Sequence, residues 1–251
     1  MKKSRVRISI IFIIVVAVLS MSFLLPGCAT NNKSTKKLLP PGVYYKKARY
    51  YSLKKNYPQA AKNFKELISN YPSYRYTKMA EVKLADIYYL EGKYIEAGAA
   101  YLDFIKLHPR AKSVPFAMYY TGVSYYKRIE PVGRTQTAAK KAKQEFEKLV
   151  SKYPSSKYSK KALKLIKLID IHLSKNTFFT GLYYFNAGMW KQAAYIYKIV
   201  LKQYHDLPII PKTLYYLVLC YRSLNNQKME LKYKHLLLTK YPLTVYAKRL
   251  M

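Results

Sequence analysis

The chain has 251 residues, with 46 lysines and arginines against 12 aspartates and glutamates, a formal charge of +34. It is 51% apolar and 16% aromatic, with 29 tyrosines beside 9 phenylalanines, so it can build a packed core and is not a disordered basic tail. Eight glycines exclude a collagen-like chain, and two cysteines exclude a disulfide framework and a cysteine-based zinc site. Lys2, Lys3, Arg5 and Arg7 then lead into an apolar run over residues 8–25, the layout of an export signal. The run closes Leu25-Pro26-Gly27-Cys28, and the chain turns polar from Asn31.

That closing tetrapeptide resembles the bacterial lipoprotein signal. The resemblance implies a diacylglyceryl chain on the Cys28 thiol, cleavage after the small Gly27 and acylation of the new amine. An uncleaved signal anchor is the other reading, because about 18 apolar residues can just span a bilayer. Both tether the body to a membrane outside the cytoplasm. Ala29 stands where an aspartate would resemble an inner-membrane retention signal, which points the anchored chain to the outer membrane, facing the periplasm. Residues 1–27 are therefore read as signal peptide, 28–40 as a lipidated polar tether and 41–251 as the folded body. Losing four basic residues with the signal leaves +30, so the charge belongs to the mature chain. With Cys28 taken by lipid, Cys220 has no partner, and its apolar setting over residues 214–221 predicts a buried thiol.

Beyond residue 40 the chain repeats. Tyr71-Pro72, Tyr153-Pro154 and Tyr241-Pro242 share one tag, with His108-Pro109 as a variant, and Tyr76, Tyr158 and Tyr246 follow at a common offset. Twelve residues before three of these prolines stands an alanine (Ala60, Ala97, Ala142), and four after each alanine an aromatic (Phe64, Tyr101, Phe146). Upstream, a small residue leads a tyrosine by three: Ala48–Tyr51, Ala85–Tyr88, Gly122–Tyr125 and Gly181–Tyr184. The fourth unit adds Ala193 and Tyr197. Two antiparallel helices that cross closely need Ala or Gly at the crossing, with rings filling the space a turn away, and proline stops the second helix. The spacing resembles the tetratricopeptide repeat. Asn56-Tyr57-Pro58 and Glu91-Gly92-Lys93-Tyr94 read as turns between helices. In the third unit the helices are separated by eight extra residues near 128–137, rich in turn formers, and a helix-like stretch over 158–173 precedes the fourth. The fifth is degenerate, with Glu230 and Lys234 in place of the alanine and the aromatic. Five units, at 41–76, 77–113, 114–158, 159–211 and 212–251, give an all-α solenoid whose repeats form a superhelix.

An export signal, a polar tether and five such repeats resemble the BamD family of outer-membrane lipoproteins, part of the β-barrel assembly (BAM) machinery. The likeness extends to the repeat-three loop, Phe146-Glu147-Lys148-Leu149-Val150, Tyr153-Pro154-Ser155-Ser156-Lys157-Tyr158, and Tyr183-Tyr184 before Gly188-Met189-Trp190. It implies a scaffold that binds unfolded outer-membrane proteins and a BamA-like barrel insertase with periplasmic domains, alongside other lipoproteins of the machinery. Two departures stand out. Family members are usually less basic, with an acid-rich repeat-three loop, whereas this loop reads Gly133-Arg134-Thr135-Gln136. In proteobacterial members a basic residue on the helix after the tryptophan holds the insertase; Ile196 occupies that place here, so that contact is not carried over.

The first helix of each repeat lines the hollow face of such a stack. Counted from the small residues and tyrosines, that face includes Tyr45, Arg49, Lys78, Val82, Asp86, Tyr89, Tyr119 and Tyr126. Tyrosine joins a flat apolar ring to one hydroxyl, which suits an extended peptide of unrestricted sequence. In the family, the first repeats receive barrel proteins through a C-terminal aromatic signal, and such a face fits that role. Lysine pairs (Lys46-Lys47, Lys54-Lys55, Lys140-Lys141, Lys160-Lys161) read as solvated helix faces, and the net charge draws the body toward an anionic leaflet. Export excludes nucleic acid as a partner. No paired histidines, nucleophile elbow or phosphate loop occurs, so neither an enzyme nor a metal site is expected, and the only prosthetic group is the lipid on Cys28. The alternative to assembly is a periplasmic repeat adaptor for pilus or secretion assembly or for cell-wall coordination.

Overall fold

A computed structural model describes residues 38–251; the signal peptide and the Cys28 lipidation site lie outside the described residues. Within them the chain is helical and strand-free. Its helices are α1 (Pro41–Leu53), α2 (Tyr57–Asn70), α3 (Thr77–Leu90), α4 (Tyr94–Leu107), α5 (Val114–Tyr126), α6 (Thr137–Lys152), α7 (Lys157–Asn186), α8 (Trp190–Gln203), α9 (Ile210–Ser223), α10 (Gln227–Lys240) and α11 (Val245–Lys248). Each packs on the next, the arrangement of a tetratricopeptide solenoid. None of these helices is long and apolar enough to cross a membrane.

The turns inside four of the five pairs share one device. Lys55, Gly92, Gly188 and Asn225 all have positive φ and all stand two residues before the next helix. The first turn is therefore Lys54-Lys55-Asn56, not Asn56-Tyr57-Pro58: Asn56 caps α2 through its side chain, which accepts from Gln59 N, and Tyr57 and Pro58 open the helix. Proline is suited to that place because it lacks only an N–H that the first turn leaves unpaired anyway. The tyrosine of each Tyr-Pro tag closes a second helix, and its carbonyl accepts from the next element: Thr77 Oγ1 at 2.7 Å from Tyr71 O, and Ser159 Oγ at 2.6 Å from Tyr153 O.

Between paired helices the small residues do what their spacing implies. Ala48, Ala85, Ala60, Ala97, Ala142 and Ala193 are fully buried, as are Tyr101, Phe146 and Tyr197. A Cβ on Gly122 would lie 2.5 Å from the Phe146 ring, and one on Gly181 2.5 Å from the Tyr197 ring. In the fifth pair Tyr233, not residue 234, supplies the ring; it stacks on Tyr221 at 5.6 Å.

The stretch over 158–173 is not a separate helix. It runs on into the first helix of the fourth pair, so that α7 has 30 residues and extends about 45 Å at 1.5 Å per residue. Its N-terminal part, through Leu173, contributes Ala162, Ile169 and Leu173 to a core that begins at Val82, and the part beyond contributes Phe178 to a core that ends at Leu250. One continuous helix thus joins two apolar clusters. The repeat-three loop is pinned to it: Gly133 N donates to Asn176 Oδ1 at 2.8 Å, and His172 Nε2 lies 2.7 Å from Oε1 of the buried Gln136.

Candidate functional site

An open groove of about 700 Å³ lies where α3, α4, α5 and the start of α7 meet. Met79, Val82, Phe104 and Phe116 supply apolar lining, while Arg75, Lys78, Lys83, Lys112 and Lys157 bring positive charge to it. The repeat register explains the lining. Met79 and Phe116 each precede the small residue of their helix (Ala85, Gly122) by six positions, which places them at the same level of successive first helices.

Beside the groove stands a layer of tyrosines. Phe116 and Tyr120 are 4.6 Å apart between centroids, Tyr101 and Tyr120 5.7 Å, Phe116 and Tyr158 5.7 Å, Tyr119 and Tyr158 5.7 Å, and Tyr89 and Tyr120 5.5 Å. Asp86 ties the layer to the groove. It accepts from the Tyr101 hydroxyl at 2.5 Å and pairs with the Lys83 ammonium at 2.9 Å. Burial, and then the Asp86 charge, push the Tyr101 hydroxyl far above its ordinary range. Burial also raises Tyr89, Tyr119 and Tyr120, with neighbouring tyrosines adding to each and Asp86 to Tyr120. These hydroxyls therefore stay neutral and offer hydrogen bonds rather than charge.

Of the eight residues that the repeat register selects, Lys78 and Val82 line the groove. Asp86, Tyr89 and Tyr119 belong to the network behind it. Tyr45 adjoins it: its ring stacks on Tyr76 at 5.0 Å and its hydroxyl donates to Met79 Sδ at 2.8 Å. Arg49 is exposed on α1, and Tyr126 packs against the first core; neither lines the groove. The register reading omitted Met79, Phe104, Phe116 and, apart from Lys78, the basic rim. Met79 and Phe116 could have been found by stepping six back from the small residues. Lys112 sits in a connecting segment and Lys157 at the start of a helix of a different pair, where no periodicity reaches them.

A second groove, about 410 Å³, is lined by Tyr184, Lys191, Gln192, Tyr195 and Ile196 at α7 and α8, beside the exposed Tyr183. Elsewhere two half-buried carboxylates are engaged: Glu81 with His108 at 2.6 Å, and Asp170 with Lys143 at 2.6 Å. Among the described residues no three His, Cys, Asp or Glu side chains gather as a metal site.

The profile of the YfiO family, described as outer membrane lipoprotein, matches residues 39–237. The outer membrane protein assembly factor BamD of Rickettsia prowazekii is 28% identical over 226 residues, 90% of each chain. BamD of Neisseria gonorrhoeae is 26% identical over 239 residues, 89% of each. Among solved structures, the TPR domain of P58(IPK) is 12% identical with a TM-score of 0.46, covering 82% of this chain and 53% of that one.

Proposed function

The chain belongs to the YfiO family of outer membrane lipoproteins, in which the BamD assembly factors are its relatives, and from that premise we propose that it is a non-catalytic scaffold of β-barrel assembly. In this reading Cys28 carries the lipid, the body faces the periplasm, and the groove between α3 and α5 receives the C-terminal end of an unfolded outer-membrane protein. The observation that carries the proposal is the pairing of an apolar groove with five basic side chains around it. An extended segment that ends in an aromatic residue presents the matching chemistry: a ring for Met79, Val82 and Phe116, and a terminal carboxylate for Lys78, Lys83 or Lys112. A hydrogen bond to a charged group is worth roughly 1.5–3 kcal/mol, against about 0.5–1.5 kcal/mol for a neutral pair. Asp86, behind the groove, is bound by Tyr101 and Lys83.

Fluorescence anisotropy tests the groove. A labelled peptide ending in a free-acid phenylalanine should bind at least about tenfold more tightly than its C-terminal amide, and Lys78→Glu with Lys112→Glu should abolish the difference. Equal binding of acid and amide rejects the site. In cells, depletion should leave barrel proteins unfolded in the periplasm, and a mild-detergent pull-down should recover a large barrel protein with periplasmic domains. Normal barrel levels after depletion would instead favour the adaptor for pilus, secretion or cell-wall assembly.

A further inference from the structure

The first half of α7 carries a charge pattern that neither the core nor the groove explains. Lys160, Lys161, Lys164 and Lys167 are all exposed, and none of their ammonium groups makes an ion pair or hydrogen bond with a described residue. Lys160 and Lys164 are four apart, and Lys161 and Lys167 are each three from Lys164, so the same face carries three like-charge neighbours, an arrangement that weakens a helix. In 30 residues α7 has one acidic side chain, Asp170, and that one is held by Lys143 on α6 at 2.6 Å. A solvated surface helix ordinarily intersperses the two signs. Here the repulsion is left uncompensated, and two leucines stand among the lysines, Leu163 at 53% and Leu168 at 50% exposure.

We propose that this face of α7 is a membrane-docking surface for anionic glycerophospholipid headgroups. Charge complementarity identifies the occupant: the family is one of outer membrane lipoproteins, so the body works beside a leaflet, and clustered lysines are drawn to an anionic leaflet by its surface potential. Leucines set among lysines suit the headgroup boundary, where apolar side chains sink shallowly while ammonium groups meet phosphates. The surface is separate from the peptide groove, and docking there would hold the assembly scaffold at a set orientation to the bilayer. It goes beyond the scaffold reading and does not need the groove to bind peptide.

Lysine labelling tests it on the whole chain, purified from membranes and reconstituted into vesicles of phosphatidylcholine, with or without roughly one-third phosphatidylglycerol. With the anionic lipid, Lys160, Lys161, Lys164 and Lys167 should react at least about threefold more slowly with an N-hydroxysuccinimide ester, while the exposed Lys228 on α10 is unchanged. Sodium chloride at about 0.5 M should erase the protection, since screening shortens the reach of exposed charges to a few ångströms. The variant Lys160→Glu/Lys164→Glu/Lys167→Glu, folded by circular dichroism, should lose the protection of Lys161. Equal labelling in both vesicles overturns the proposal, as does protection that arises only when an acidic protein is added.

Discussion

Replacing Gly122 by alanine tests the packing argument at its tightest point. The added methyl would stand 2.5, 2.6 and 2.9 Å from Cε1, Cδ1 and Cζ of Phe146, well inside van der Waals contact. Phe146 has no exposed surface, and Tyr119 packs 5.8 Å from its centroid, so the ring has nowhere to retreat. Overpacking of this kind costs about 1–3 kcal/mol, and three close ring contacts put the cost near the top of that range. Alanine in mid-helix returns about 1 kcal/mol by propensity. The net is a destabilisation of about 2 kcal/mol, or about 4–8 °C in melting temperature for a domain of this size. Gly98→Ala is the control: its Cβ would meet only Ser124 Cβ at 3.4 Å, so the propensity gain of about 0.5–1 kcal/mol should survive. Urea unfolding followed by circular dichroism reads both. Opposite signs are expected, and a Gly122→Ala variant at least as stable as the parent would refute the claim that the helix crossing is locked by the ring.

Tyr197 is fully buried and its hydroxyl has no hydrogen-bond partner among the described residues. Tyr197→Phe keeps the ring over Gly181 and removes the orphaned oxygen, so it should raise stability by about 1 kcal/mol in the same assay; a loss of that size would show the hydroxyl to be satisfied. Lys55 adopts a φ of 56° where Gly92 and Gly188 hold the equivalent turns, so Lys55→Gly should gain about 0.5–1 kcal/mol in thermal melts. Burial pushes the Cys220 thiol from 9.0 up to about 12. Because the folded state holds this proton more tightly, the contribution is complete below pH 9.0 and is lost as pH rises toward about 12. Iodoacetamide at neutral pH should therefore label Cys220 only in denaturant, and Cys220→Ala should lose stability less steeply between those two pH values.

Much of the fold could be read before any coordinates, because the features that carry it are local. The three-residue step from small residue to tyrosine, and the four-residue step from alanine to ring, report one buried stripe per helix, and the Tyr-Pro tags report where second helices end. Turn chemistry was less transparent. Asn56 is both a turn former and an N-cap, and only the positive φ of Lys55 separates the two roles. The fusion of the stretch over 158–173 with the following helix was also hidden, since a continuous apolar pattern does not say whether a helix pauses between two cores.

The groove belongs to a different level. Val82 and Lys78 follow from the repeat register, but Phe104 comes from a second helix, Lys112 from a connecting segment and Lys157 from the start of α7. Their meeting depends on how one helical pair stacks on the next, and side chains distant along the chain set that stacking. Periodicity tells which side of a helix avoids water; which remote residues share a cleft is fixed by packing between pairs, a non-local property that no spacing along the chain encodes.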